Sequence, residues 1–325
     1  MALSRRQLLN LTGGVVLLPM SPRIARAETY PARPVRWVIG FSAGSSPDIF
    51  TRLMAQWLSQ RLGQPFIVEN RPGAGSNIGT EQVVRATPDG YTLLLTTSAN
   101  VWNASLYDNL SFDFQRDIVP VAGVVRGLGV MEVGPSFPAK SVPEFIAYAK
   151  ANPGKINMGS SGVGSPQHLY GELFKMMTGV NLVHVPYRGP PQSLTALFAG
   201  EIEVMFNTLS TSIEHVKAGR LRALAVTSAA RSDLLPDIPT VGEFVPGYEA
   251  TSWQGVGAPA GTPSGIIDTL NREINAGLAD ANLRARIEAL GYSPFASSAA
   301  ALGSFVAEET GKWSKVIRAA GIKAN

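Results

Sequence analysis

Two loops in this chain share residue types and a spacing that suit the binding of an anion. The first loop, residues 40–48, reads Gly-Phe-Ser-Ala-Gly-Ser-Ser-Pro-Asp, and the second loop, residues 159–167, reads Gly-Ser-Ser-Gly-Val-Gly-Ser-Pro-Gln. Each contains a Ser-Pro pair, which is typical of a serine N-cap followed by proline at the first helical position. The N–H groups at a helix start have no partner within the helix and lie at the positive end of its dipole. Such a loop can hold a carboxylate without Arg or Lys.

One loop lies in each half of the chain. We therefore expect two lobes that close on a carboxylate between them. Gly and Ser also fill ordinary strand-to-helix turns, and for each loop taken alone that reading stays open.

Residues 40–44 also match the G-x-S-x-G pattern of a hydrolase nucleophile elbow, with Ser42 as the nucleophile. An exported serine hydrolase is therefore the alternative function. Two observations count against it. The elbow of that fold follows several earlier strands, whereas here the preceding strand is the first one predicted. The histidines that could serve as the base, His168, His184 and His215, all lie in the region assigned to the other lobe.

Three further features near these loops have more than one interpretation. Residues 73–79 are rich in glycine but lack the G-x-G-x-x-G spacing of a dinucleotide site, so we expect a turn whose amides face the cleft. His168 can donate to a ligand oxygen or bond a backbone carbonyl. Asp48 can stabilise a helix dipole or organise water around a ligand.

The pattern of apolar residues predicts an α/β fold that positions the loops. The first half reads as strands and helices in alternation, at residues 35–39, 47–62, 66–68, 78–86 and 91–96. This βαβαβ order indicates a parallel sheet with helices on its faces. An apolar stretch at 119–133 carries the chain to a second lobe with the same alternation, and residues 253–258 carry it back. We expect lobe 1 at residues 28–124 and 252–325, and lobe 2 at residues 125–251.

The first 27 residues read as an export signal of the twin-arginine type. Arg5 and Arg6 precede a short apolar run, and residues 25–27, Ala-Arg-Ala, form a small-x-small cleavage site. A membrane anchor is the other reading, but the apolar run is shorter than the roughly 20 residues that span a bilayer. The sequence therefore predicts a periplasmic protein that begins near Glu28.

Composition excludes several classes of function. Four of the 28 basic residues lie in the signal, so the remaining 24 balance 24 acidic residues and indicate no nucleic-acid or membrane surface. The chain has no cysteine, which excludes disulfides, thiol catalysis and lipidation on cysteine. The three histidines lack metal-ligand spacing, so we expect no metal.

Seven segments, in order, resemble the periplasmic solute-binding receptors of tripartite tricarboxylate transporters, the Bug family. The resemblance runs from Tyr30 to near the C-terminus. The segments are residues 41–48, 68–75, 88–93, 159–165, 184–189, 221–226 and 258–263.

The resemblance implies a type II periplasmic-binding-protein fold, in which two crossing strands join two α/β lobes with the ligand between them. It also implies a soluble monomer that binds a small carboxylate, lacks cofactor and catalytic residues, and delivers its ligand to membrane permease subunits. A role as the signalling partner of a sensor also remains open. The residues expected to contact ligand are Phe41, Ser42, Ala43, Ser45, Ser46, Asp48, Ser76, Ser98, Ser160, Ser161, Gly162, Gly164, Ser165, His168, Tyr187 and Asn207.

Two positions depart from the family pattern. Ser45 and Ser46 stand where the family commonly has a Gly-Gly pair, which adds hydroxyls and removes backbone freedom. Asn207 replaces a usual Asp, so an ammonium group on the ligand loses its counter-charge. Acidic amino acids therefore become poorer candidate ligands.

Overall fold

The computed structural model describes residues 30–324, so the predicted export signal lies outside the described residues. From Pro31 onward the described chain forms one compact unit. No helix within residues 30–324 is long and apolar enough to cross a membrane.

The described residues form eleven strands and eleven α-helices. The strands are β1 (Val35–Ile39), β2 (Phe66–Asn70), β3 (Thr92–Thr97), β4 (Ile118–Gly127), β5 (Gly129–Val133), β6 (Ile156–Ser160), β7 (Leu182–Pro186), β8 (Val204–Thr208), β9 (Arg222–Val226), β10 (Ser252–Pro259) and β11 (Tyr292–Pro294). The helices are α1 (Ser46–Leu62), α2 (Asn77–Val84), α3 (Ser98–Leu106), α4 (Phe114–Asp117), α5 (Val142–Ala151), α6 (Pro166–Thr178), α7 (Pro190–Ala199), α8 (Leu209–Lys217), α9 (Ser264–Ala279), α10 (Ala281–Ala289) and α11 (Ala299–Ala319).

The strands form two separate sheets, which confirms the predicted two-lobed α/β fold class. The first sheet has the order β11-β4-β10-β3-β1-β2, and the second has the order β7-β6-β8-β5-β9. Within the first, β1 runs parallel to β2 and β3, while β10 runs antiparallel to β3 and β4.

The chain passes between the sheets at two places. Strand β4 stays in the first sheet to Gly127, and β5 begins the second sheet at Gly129. Strand β10 returns the chain to the first sheet from Ser252. The lobe boundaries at 124/125 and 251/252 remain a prediction, with the first sheet extending three residues beyond the former.

Local sequence explains where the two loop-bearing helices start and stop. Proline follows the N-cap serine closely at the start of both α1 and α6, where its missing N–H costs nothing. Both helices end at a left-handed glycine, Gly63 and Gly179. The N-cap of α1 is Ser45 rather than the predicted Ser46, because the helix begins one residue earlier.

Helix α11 ties the lobes together through aromatic packing. Trp313 on α11 is fully buried and packs at 5.6 Å from Trp102 of α3 and at 5.9 Å from Tyr170 of α6. Because α6 belongs to the second lobe, the C-terminal helix contacts both sides of the molecule.

Candidate functional site

A cavity of about 440 Å³ is lined by elements of both lobes. Its walls come from the first loop, α3 and β10 on one side, and from the second loop, α7 and the start of α8 on the other. This volume falls within the range that usually holds a small-molecule ligand.

Five of the predicted ligand-contacting residues are brought together in this cavity. They are Phe41, Ser46, Ser98, Ser161 and Gly164. The other predicted residues do not line it, and their contact with a ligand stays a prediction. They are Ser42, Ala43, Ser45, Asp48, Ser76, Ser160, Gly162, Ser165, His168, Tyr187 and Asn207.

The first loop is held by a buried carboxylate. Asp48 accepts a hydrogen bond from the Gly44 N–H at 2.9 Å, and it pairs with Arg52 at 2.9 Å. Asn70 donates to Asp48 at 3.0 Å and to the Phe41 carbonyl at 3.0 Å. Burial alone would raise the pKa of Asp48, but its hydrogen bonds from Arg52, Gly44 and Asn70 hold that pKa below its usual value. Asp48 therefore supports the loop as a permanent anion.

The second loop is held by a histidine at the matching position. Gly164 donates its N–H to Nδ1 of His168 at 3.1 Å. In the same loop, the Ser160 hydroxyl accepts from the Gly162 N–H at 3.1 Å and lies 2.6 Å from His184 Nε2. Side chains beneath the loop thus fix the amides of Gly162 and Gly164, so those amides are already used.

His168 and His184 stack face to face, with ring centroids 3.6 Å apart and planes only 6° from parallel. Burial, with the neighbouring His168 ring adding to it, lowers the pKa of His184 to about 4. Nδ1 of His168 accepts a hydrogen bond and so carries no proton. At neutral pH the His184 ring is therefore uncharged and supports the loop through Ser160, while the contact of His168 with a ligand stays a prediction.

A chain of polar side chains leads from the cavity into the second lobe. Ser161 donates to Gln167 at 2.8 Å, and Gln167 donates to Asn207 at 3.4 Å. Asn207 in turn donates to Glu132 at 3.2 Å, and Ser212 donates to the same carboxyl oxygen at 2.9 Å. Burial raises the pKa of Glu132 to about 7, although the bonds from Ser212 and Asn207 oppose the rise.

This chain changes the role expected for Asn207. Its side chain is fully buried and bonded on both sides, so it does not face the cavity directly. Any effect on a ligand passes through Gln167 and Ser161, both of which line the cavity.

Every residue that lines the cavity is uncharged at neutral pH. An anion there meets only dipoles, such as the side-chain hydroxyls, amides and indoles of the lining residues. Burial raises the pKa of Tyr292, so its phenol remains a neutral O–H group. This fits the expected way of holding a carboxylate without Arg or Lys.

Ser42 and the three histidines do not form a catalytic triad in the described residues. His168 and His184 stack in the second lobe, and His215 packs edge-on against Phe198. No histidine in the described residues hydrogen-bonds to Ser42. The glycine-rich turn at Ala74–Ser76 is a single 3₁₀ turn in which Gly75 lines the cavity.

Sequence reasoning missed the aromatic and amide residues on the first-lobe side of the cavity. Trp102, Tyr107, Trp253, Gln254 and Tyr292 line the cavity but sit outside the recognisable motifs. Helix α3 went unpredicted, although its capping was visible: Asn100 accepts from the Thr97 N–H at 2.8 Å, three residues after the N-cap.

Comparison with known proteins identifies the class. The model of the tripartite tricarboxylate transporter family receptor matches residues 50–322. The chain therefore belongs to this receptor family, with the two-lobed periplasmic-binding-protein fold. Membership makes it a solute-binding protein and not an enzyme, so the serine-hydrolase alternative is wrong.

One relative and two solved structures show how similar this chain is to members of the family. Protein BugT of Bordetella pertussis (strain Tohama I) is 36% identical over 300 residues, which cover 91% of this chain and 92% of BugT. The structure of R. palustris Rpa4515 with adipate is 36% identical with a TM-score of 0.76, covering 90% of this chain and 99% of that one. MatC from Rhodopseudomonas palustris with bound malate is 28% identical with a TM-score of 0.72, covering 89% and 100%.

Proposed function

We propose that this protein captures a small carboxylate between its two lobes and delivers it to the permease subunits of a tripartite tricarboxylate transporter. The observation that carries the proposal is the uncharged cavity, which both loops line at the starts of two helices. The adipate and malate bound by two relatives are small carboxylates, in keeping with this ligand class.

The residues that contact the ligand are Phe41, Ser46, Ser98, Ser161 and Gly164, which line the cavity. The side chains of Asp48, His168 and His184 hold the two loops in place. Motion of the lobes at the crossings near Gly127 and Ser252 closes the cleft as a ligand binds. Contacts made only in the closed state drive that closure. The protein acts as a monomer.

The proposal includes export of the protein to the periplasm. Residues 1–27 direct the chain to the periplasm and are removed there, leaving a soluble protein without a lipid anchor. N-terminal sequencing of the exported protein should begin at or near Glu28. A start that retains Arg5 and Arg6 would contradict removal of the signal.

A thermal-shift screen tests the proposed ligand class. Small mono-, di- and tricarboxylates are added to the purified protein, with the matched carboxamides as uncharged controls. Because a ligand that binds only the folded state stabilises it, a true ligand at about a hundredfold excess over its Kd should raise Tm by roughly 4 °C. Shifts of equal size with the carboxamides, or none with any carboxylate, would contradict the proposal. Unchanged carboxylate uptake in a deletion strain would instead favour a signalling role.

A further inference from the structure

The first-lobe side of the cavity is an aromatic wall. Five aromatic side chains line it, and no charged side chain from the described residues stands among them. They are Phe41, Trp102, Tyr107, Trp253 and Tyr292. Flat apolar rings stack well on such a wall, whereas a second carboxylate pressed against it finds no cation. The wall therefore favours a ligand body that is flat and apolar.

One polar side-chain atom in this wall, the amide oxygen of Gln254, has no hydrogen-bond partner. Gln254 lies on β10, paired across the ladder with Thr97, and only 6% of it is exposed. Its amide oxygen is buried and accepts no hydrogen bond. Buried amides almost always have partners in native proteins, so an unpaired one next to a cavity marks a place where a ligand atom fits.

The indoles beside Gln254 show the same feature. The N–H groups of Trp102 and Trp253 are buried and donate to no other group. Both rings are fixed by edge-on packing, Trp102 against Trp313 and Trp253 against Phe305, each at 5.6 Å. Three of the ten unpaired buried side-chain atoms in the described residues thus belong to this one cavity, which singles it out.

We propose that the ligand is an aromatic monocarboxylate that carries a hydroxyl group, and that Gln254 is the residue that recognises this hydroxyl. The inference rests on the proposed function, because the carboxylate is held by the two loops. A hydroxyl suits the site since it can both donate to the Gln254 oxygen and accept from its NH₂ group.

Isothermal titration tests the inference with benzoate, 3-hydroxybenzoate, 4-hydroxybenzoate and adipate. The better hydroxybenzoate should bind roughly tenfold more tightly than benzoate, the usual effect of one hydrogen bond in a buried site. Gln254→Met keeps the shape of the side chain and removes its polar atoms. This variant should lose the tenfold preference while binding benzoate within about threefold of wild type.

Two controls separate recognition from general damage. Gln60→Met makes the same change on an exposed face of α1 and should leave all affinities unaltered. A Tm close to that of wild type establishes that Gln254→Met is folded. Equal weakening of benzoate and hydroxybenzoate in a folded Gln254→Met protein would overturn the role of Gln254.

The ligand panel also separates this inference from the proposed function. Adipate binding more tightly than every benzoate would overturn the aromatic ligand and leave the receptor function intact. If none of the four probes and no other small carboxylate binds, both the aromatic ligand and the proposed receptor function are contradicted.

Discussion

The two loops that face the cavity share one backbone and differ in what lies beneath it. Gly44 and Gly164 have φ of 79° and 75°, and the N-cap residues Ser45 and Ser165 have φ/ψ of −71°/159° and −69°/160°. In each loop the glycine donates its N–H to the side chain four residues later. Glycine is needed at these positive φ angles.

The supporting side chains are chemically unlike. Asp48 is an anion paired with Arg52, whereas His168 is an imidazole stacked on the neutral His184. The difference teaches that Gly and Ser-Pro set the loop geometry, while any well-placed acceptor can hold it. It also makes the two loops respond differently to mutation and to pH.

The largest expected effect comes from removing the carboxylate of Asp48, which supports the first loop. Asp48→Ala should lower the free energy of unfolding by about 3 kcal/mol, because three groups lose a buried charged acceptor. His168→Asn, which keeps an acceptor for Gly164, should cost only about 1 kcal/mol. Urea denaturation measures both, with Asp48→Asn as the intermediate case. Equal losses for the two loops would break the comparison.

Acid should loosen the second loop before the first. The unfolded chain protonates His184 near pH 6.5 and the folded chain only near pH 4, so stability is lost as pH falls between these values. The total loss is about 2 kcal/mol, because solvent screens this half-exposed ring. The Asp48 contribution is present above pH 3.8 and is lost only below it. Hydrogen exchange at pH 5, corrected for intrinsic rates, should show faster opening at residues 160–165 than at pH 7. Residues 41–46 opening to the same extent would contradict this order.

Glu132 gives the free energy of unfolding a pH dependence of opposite sign to that of His184. Its folded pKa of about 7 exceeds the ordinary 4.5, so this carboxyl loses stabilisation as pH rises between those values, by about 3 kcal/mol. The two groups therefore nearly offset each other between pH 4.5 and 6.5. Glu132→Gln should uncover the His184 effect and give a steeper loss of stability in acid than wild type. Identical pH profiles of Tm would show that Glu132 does not titrate as described.

The fold could be predicted from the sequence more completely than the site. Strand Val35–Ile39 has the predicted bounds, and helix Ser46–Leu62 begins one residue before its predicted range of 47–62, because clear apolar patterns specify both elements. The short strand Tyr292–Pro294 was missed, since three residues carry no period.

The site was only partly predictable, because sequence shows loops but not which side chains turn inward. Phe41 and Ser161 come from recognisable loops and line the cavity. Trp102 and Gln254 reach the same cavity from a helix and a crossing strand, and only tertiary packing brings them there. Asn207 has a suitable side chain that packing turns into the second lobe instead.

The most direct test is whether both loops hold the same carboxylate. Ser46 and Ser161 line the cavity from the first and second lobes. Titration with the carboxylate that gives the largest thermal shift should show Ser46→Ala and Ser161→Ala each weakening binding by about 1–2 kcal/mol, with the exposed Ser304→Ala as an unaffected control. If one of the two variants binds as tightly as wild type, the ligand is not bridged between the lobes and the two-loop account is wrong.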